Sequence, residues 1–199
     1  MSYDRLTRLL HLFIATTILA QLMGSLLMIQ PKPGRPGDTF YAMHEIGGQV
    51  ILGLLLAHWI WCLIRAGTVP FPQVFPWFSR QRCQAVHADL KHHLQLARQW
   101  RLPDSREPTP LASAVQGIGL SVATLLGVSG LLLDGNLENP QAMTGWLHTV
   151  KEGHEVLGNL LWLYLALHAG MAILHQLTGH GGLRAMVLFW EKDATTKSC

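Results

Sequence analysis

Four long apolar stretches dominate the pattern of hydrophobic and polar positions along the chain. They cover residues 6–29, 42–64, 111–133 and 156–177, the last with a helical lead-in from residue 149. A transmembrane helix needs about 20 mostly apolar residues, so each stretch predicts one span. Turn chemistry separates them: PKPGRPG follows the first, VPFPQVFP the second and DGNLENP the third, and such proline- and glycine-rich runs end helices. The pattern predicts an all-α, integral membrane four-helix bundle forming a single domain over residues 1–199. Arg5 and Arg8 precede the first stretch as they would in a secretory leader. Its length, the lack of a small-residue cleavage site and the presence of His11 predict a retained helix instead.

A basic segment, residues 80–108, separates the second and third spans. Its first part, 80–100, patterns as a partly amphipathic helix suited to lying on anionic headgroups, with a docking face for a soluble partner as the alternative. Composition supports the membrane reading: the chain is 49% apolar and only 14% charged, against about 25% charged in globular domains. The net charge of +3 is too small to point to nucleic acid, but its distribution is informative. With both termini cytoplasmic, all of the 15 Lys and Arg residues except Lys32, Arg35 and Lys151 fall inside, while Asp38, Asp134, Glu138 and Glu152 lie in the outer loops. This is the positive-inside bias, and it predicts a multi-pass membrane protein oriented with both termini inside. Cys62, Cys83 and Cys199 are too scattered to support a disulfide framework, a zinc site or covalent haem attachment.

The candidate chemistry lies in the histidines. His11, His44, His58, His154, His168 and His175 all fall in or at the edges of the apolar stretches, where ionisable residues are costly and by default functional. A single such histidine is more often an interhelical hydrogen bonder than a ligand; six are harder to explain that way. His44 and His58 are 14 residues apart, and so are His154 and His168. On a helix that spacing keeps a pair on one face, about 21 Å apart along the axis, which suits two cofactors stacked across a bilayer core. The two segments also match internally. HEIGGQVILGLLLAH from His44 and HEVLGNLLWLYLALH from His154 share His-Glu, a glycine at the fifth position (Gly48 and Gly158) and the final histidine. Glycine lets a flat macrocycle approach the backbone closely. Zinc would want four ligands converging on one point, whereas these histidines lie at two depths with no thiolates near them. Two axial imidazoles per iron fit bis-histidine b-type haem, and the pattern predicts two haems b. Glu45 and Glu155 either orient neighbouring groups or are solvated at headgroup level.

RLLHLF in the first span, MHEIGG opening the second, and GHEVLGNLLWLYLALHAGMAILH followed by GGLRAM in the fourth resemble the bacterial cytochrome b561 family, which includes the b-type cytochrome subunits of nickel–iron hydrogenases. The resemblance covers nearly the whole chain. It implies haem-iron ligand pairs His44–His154 on the periplasmic side and His11–His168 nearer the cytoplasm. It also implies a site for ubiquinone or menaquinone near the cytoplasmic face that includes His175, the alternative for that residue being a histidine that reaches to the membrane interface. His58 departs from the family pattern. The internal repeat argues for His58 as the partner of His168, the RLLHLF match argues for His11, and His58 is then a propionate contact or satisfies a neighbouring helix.

The resemblance implies a transmembrane di-haem cytochrome moving electrons between a periplasmic-side donor and membrane quinone. The partner would be a periplasmic redox protein or a dehydrogenase or hydrogenase subunit. A stand-alone superoxide:quinone oxidoreductase is the alternative within the family, so whether the chain is an enzyme by itself stays open. A superoxide site should be positively lined, and the few outer cations are offset by nearby acids. A histidine-based metal or haem transporter is the alternative of another class, but no Asp or Glu lies deep within any span. A purely structural anchor leaves the paired spacings unexplained. The glycines of the third span (Gly117, Gly119, Gly127 and Gly130) predict close helix packing. His87, His92 and His93 are expected on the surface of the basic segment, and His148 and His180 in loops.

Overall fold

The computed structural model describes residues 4–32, 34–64, 71–99, 101, 109–137 and 145–178. Four long helices carry the architecture: α1 (Arg5–Ser25), α2 (Thr39–Ile64), α5 (Pro110–Leu133) and α6 (Trp146–Leu177). Between α2 and α5 lie the short α3 (Phe71–Val74), a 3₁₀ turn (Pro76–Phe78) and α4 (Arg80–Arg98). The described residues are helical apart from turns and one isolated bridge between Lys32 and Arg35. All four long helices are long and apolar enough to cross a membrane.

Helix ends follow local chemistry. Asp4 caps α1, its Oδ1 accepting from Thr7 N at 2.8 Å. Thr109 caps α5 through Ala112 N at 3.2 Å, with Pro110 at the first turn, where its missing N–H costs nothing. The boundaries differ from the apolar pattern where polar groups intervene. α1 stops at Ser25 although residues 26–29 remain apolar, because the chain turns there and Asp38 Oδ1 accepts from Ile29 N at 3.1 Å. The same carboxylate accepts from Tyr41 N at 2.9 Å, which starts α2 three residues before residue 42. α6 begins at Trp146, just after Gly145 at φ +76°. His148 therefore lies in a helix and not in a loop, its Nδ1 3.6 Å from Glu152 Oε1. His180, Cys199, the GGLRAM segment and basic residues 65, 106, 184, 192 and 197 lie outside the described residues, as does the basic segment from 102 to 108.

The long helices run alternately up and down. Gln21 Nε2 donates to Met43 O at one end of the α1–α2 pair and Trp61 Nε1 to Thr7 Oγ1 at the other. Between α2 and α5, Gln49 bonds Asp134 and Trp59 bonds Thr124. α1 packs on α2, α2 on α5 and α5 on α6. The small core contains Ile14, Ile51, Leu55 and Ala123, with Ile18, Leu54, Trp59 and Leu120 against it. Most large apolar side chains point outward, among them Phe13, Leu19, Ile46, Leu56, Ile60, Leu125, Leu163 and Leu167. An apolar surface of this extent is stable only in lipid. Hydroxyls within the spans bond back to carbonyls of the preceding turn, as Thr17 does to Phe13 O at 2.7 Å and Thr124 to Leu120 O at 2.7 Å, so they enter lipid with their donors satisfied. These features describe a multi-pass membrane protein.

α4 sits over the start of α5. Asp89 Oδ2 accepts from Leu111 N at 2.9 Å, and His93 Nδ1 stands 3.1 Å from Asp89 Oδ1. Leu90 and Leu94 remain exposed on α4.

Candidate functional site

The bundle brings histidines of different helices together in two pairs. His44 on α2 faces His154 on α6 with ring centroids 6.2 Å apart and planes at 82°. His11 on α1 faces His168 on α6 at 6.3 Å and 51°. Antiparallel packing produces this: a histidine near the start of α2 meets one near the start of α6, and one near the start of α1 meets one further along α6. The two levels are 14 residues apart on α6, about 21 Å of helix.

These separations can be tested against a metal-centred bis-imidazole unit. A ring nitrogen lies roughly 1.1 Å from its ring centroid and a metal–imidazole bond is about 2.0–2.1 Å. Two imidazoles on opposite sides of one metal ion therefore have centroids roughly 6.2–6.4 Å apart, as both pairs do. Each pair supplies two ligands only. Among the described residues, no three His, Cys, Asp or Glu side chains converge as a metal-ion cage. A pair of imidazoles with no third protein ligand would suit an iron porphyrin, which asks the protein for two ligands only.

The His44–His154 level opens into a cavity of about 450 Å³ lined by all four long helices. Ile18, Leu22, Ile51, Ala123, Leu126 and Leu161 supply apolar wall, and Gly48 and Gly158 lie on it. A Cβ at either glycine would meet nothing within 4 Å, so the space expected beside both is there. His44 Nδ1 is buried without a hydrogen-bond partner. An unpaired buried polar atom is costly, and a group held in the cavity would offset that cost. At one end of the cavity Gln49 Nε2 donates to Asp134 Oδ2 at 3.0 Å, and Lys151 pairs with Glu155. The residues present fit a haem at this level.

Several side chains that frame the pairs carry no signal in the sequence. Ser129 Oγ on α5 lies 2.8 Å from His154 Nδ1 and donates to Leu126 O at 3.1 Å. The Tyr164 ring stacks on His168 with centroids 5.4 Å apart and planes at 11°. Tyr164 in turn fills space left by Gly119: a Cβ there would stand 2.7 Å from Tyr164 Cε1 and closer still to Cζ and the hydroxyl. Gly130 lies against the His154 ring and Gly127 against Leu52, while Gly117 accommodates the Val74 carbonyl of α3. The one available cue was a glycine- and serine-bearing third span, and which residue it would face depends on interhelix register. His58 is buried on α2, and His175 is half-buried in the last turn of α6.

The family model for prokaryotic cytochrome b561 matches residues 2–188. No curated protein and no solved structure matches the chain.

Proposed function

The chain belongs to the prokaryotic cytochrome b561 family, and on that premise we propose that it is a two-haem electron conduit between a periplasmic-side donor and membrane quinone. Membership makes it a transmembrane b-type cytochrome of electron transfer; the number of haems, their ligands and the direction of flow are our reading. The observation that carries the reading is the pair of histidine–histidine separations, 6.2 and 6.3 Å, at two levels of one bundle.

In this reading His44 and His154 hold one haem b and His11 and His168 the other. His11 takes the fourth ligand position in preference to His58 because its ring stands at ligand-pair distance from His168. His58, buried on the same α2 face as His44, is assigned a contact to a haem propionate. A haem held at either level would supply one-electron chemistry. The protein's part is to offer two histidines to each haem, which would favour electron transfer over oxygen binding, and to exclude water with the apolar wall of α1, α2, α5 and α6. His175, at the far end of α6, is assigned to the quinone: a neutral imidazole donates from one ring nitrogen to a quinone carbonyl and exchanges a proton there. The positive-inside bias puts that end at the cytoplasmic face of a bacterial inner membrane.

Charge favours a protein or organic donor over superoxide at the opposite end. Lys151, the cation among the described residues that line the cavity, is paired with Glu155, so it offers little attraction to a small anion there.

The test is a reduced-minus-oxidised spectrum of the purified protein with pyridine haemochrome quantification. Two haems b per chain are expected, falling to one in His154→Ala and one in His11→Ala, with His58→Ala keeping both. A single haem in the parent protein, or loss of a haem in His58→Ala but not His11→Ala, would overturn the assignment.

A further inference from the structure

We propose that Ser129 is a positioning residue for the haem at the His44–His154 level: it fixes the tautomer and ring orientation of His154 and thereby tunes that haem's affinity and potential. This rests on the reading of His154 as an axial ligand.

Ser129 Oγ stands within hydrogen-bond distance of Leu126 O, 3.1 Å away in the preceding turn of α5, and of His154 Nδ1, 2.8 Å away. With its single hydrogen directed to Leu126 O, the oxygen presents a lone pair to His154 and selects the tautomer protonated at Nδ1. A neutral imidazole protonated at Nδ1 has its free lone pair on Nε2. That is the nitrogen left to face the cavity and the opposing His44. Gly130, the next residue on α5, lies alongside the same ring: a Cβ there would be 3.4 Å from His154 Cε1, an ordinary packing contact. The hydroxyl of Ser129 is thus the polar contact that orients this ring. Among the described residues, His154 is the one of the four paired histidines with a ring nitrogen on a side-chain hydroxyl. His44 Nδ1 is buried without a partner, and His168 lies against the face of Tyr164.

The consequence follows from how outer partners act on ligand imidazoles. Donation from the far N–H to an oxygen makes the ligating nitrogen more basic, and removing such a partner typically costs 10–100-fold in metal-site affinity. A more basic axial nitrogen favours ferric over ferrous iron. Losing the bond should therefore raise the midpoint potential of this haem and leave the other, about 21 Å along α6, unchanged.

The experiment uses the full chain, purified from haem-supplied cells, as Ser129→Ala, Ser129→Thr and His154→Ala. Haem transfer to apomyoglobin and spectroelectrochemical midpoint potentials are measured for each. His154→Ala should hold one haem. Ser129→Ala should hold two, with one released 10–100-fold more readily and its midpoint raised, by about 59 mV for each tenfold of preferential ferric destabilisation. Ser129→Thr, which keeps the hydroxyl, should restore both values. Wild-type release and wild-type midpoints in Ser129→Ala, alongside haem loss in His154→Ala, would overturn this inference while leaving the ligand reading intact. So would a Ser129→Thr protein as perturbed as Ser129→Ala. A His154→Ala protein with both haems would overturn the ligand reading and this inference with it.

Discussion

Replacing Gly119 with alanine should damage the His11–His168 level and spare the other. The added Cβ would lie 2.7 Å from Tyr164 Cε1 and nearer to Cζ and the hydroxyl. Carbon atoms pack comfortably at about 3.5–4.0 Å, so the ring must retreat by roughly 0.8 Å or more. It cannot retreat freely, because the ring is stacked on His168 with planes 11° apart. Displacement therefore passes to His168, whose ring must stay near 6.3 Å from that of His11 for the proposed pair to hold one haem. Overpacking of this kind costs about 1–3 kcal/mol, equivalent to roughly 5–150-fold in affinity if it falls on haem retention. Haem quantification and midpoint titration of Gly119→Ala should show one haem weakened or lost. The double variant Gly119→Ala/Tyr164→Ala should recover it, because the clashing ring is gone. Gly119→Ala with two tightly held haems and unaltered midpoints would refute the steric chain from α5 through Tyr164 to His168.

Thr7→Val removes a buried hydroxyl that accepts from Trp61 Nε1 at 3.1 Å and donates to Asp4 Oδ2 at 2.6 Å. Leaving the indole N–H unpaired should cost about 1–3 kcal/mol, read as a lower thermal midpoint in detergent with an unchanged haem spectrum. A nitroxide at Leu94→Cys should be accessible to oxygen dissolved in bilayer lipid, while one at Gln84→Cys should be accessible to a water-soluble relaxer. This outcome is expected if the exposed Leu90 and Leu94 of α4 rest on the membrane between basic side chains. Equal aqueous accessibility at both sites would count against it. His175→Leu should keep both haems and slow their reduction by quinol at least tenfold, a typical contribution of a positioned proton-transfer group being 10²–10⁴-fold; wild-type rates would remove His175 from the quinone site.

Much of this architecture was legible because lipid simplifies the code. Where every span must be apolar and helical, hydropathy alone marks the four helices, and histidines stand out against it. The 14-residue spacing on α6 was readable because a single rigid helix transmits register without error. What could not be read depends on two helices at once. Whether residue 11 or residue 58 stands opposite residue 168, and whether residue 119 or residue 123 faces Tyr164, is decided by axial slip between helices. A slip of one turn, about 5.4 Å, changes every such pairing and leaves the hydropathy unaltered. Helix ends were missed for a related reason. Asp38 both holds Ile29 N and caps α2, a bond across a loop that the apolar pattern does not encode.

The third span shows what that missing register conceals. As a sequence, α5 offers no ligand, and its glycines read as generic packing positions. In the bundle it runs antiparallel to α6, so Ser129 and Gly130 meet His154, and ten residues earlier Gly119 meets Tyr164, ten residues later on α6. One ligand-free helix thus touches the surroundings of both α6 histidines, and does so differently: a hydroxyl bond at one level, a steric slot for an aromatic ring at the other. Two imidazoles that are chemically alike are therefore held by different forces. A hydrogen bond acts on ligand basicity, whereas a stacked ring acts on orientation and exposure. If both levels hold haem, α5 supplies a physical basis for two unequal potentials within one bundle, while the direction of flow is set by the donor and the acceptor at its two ends.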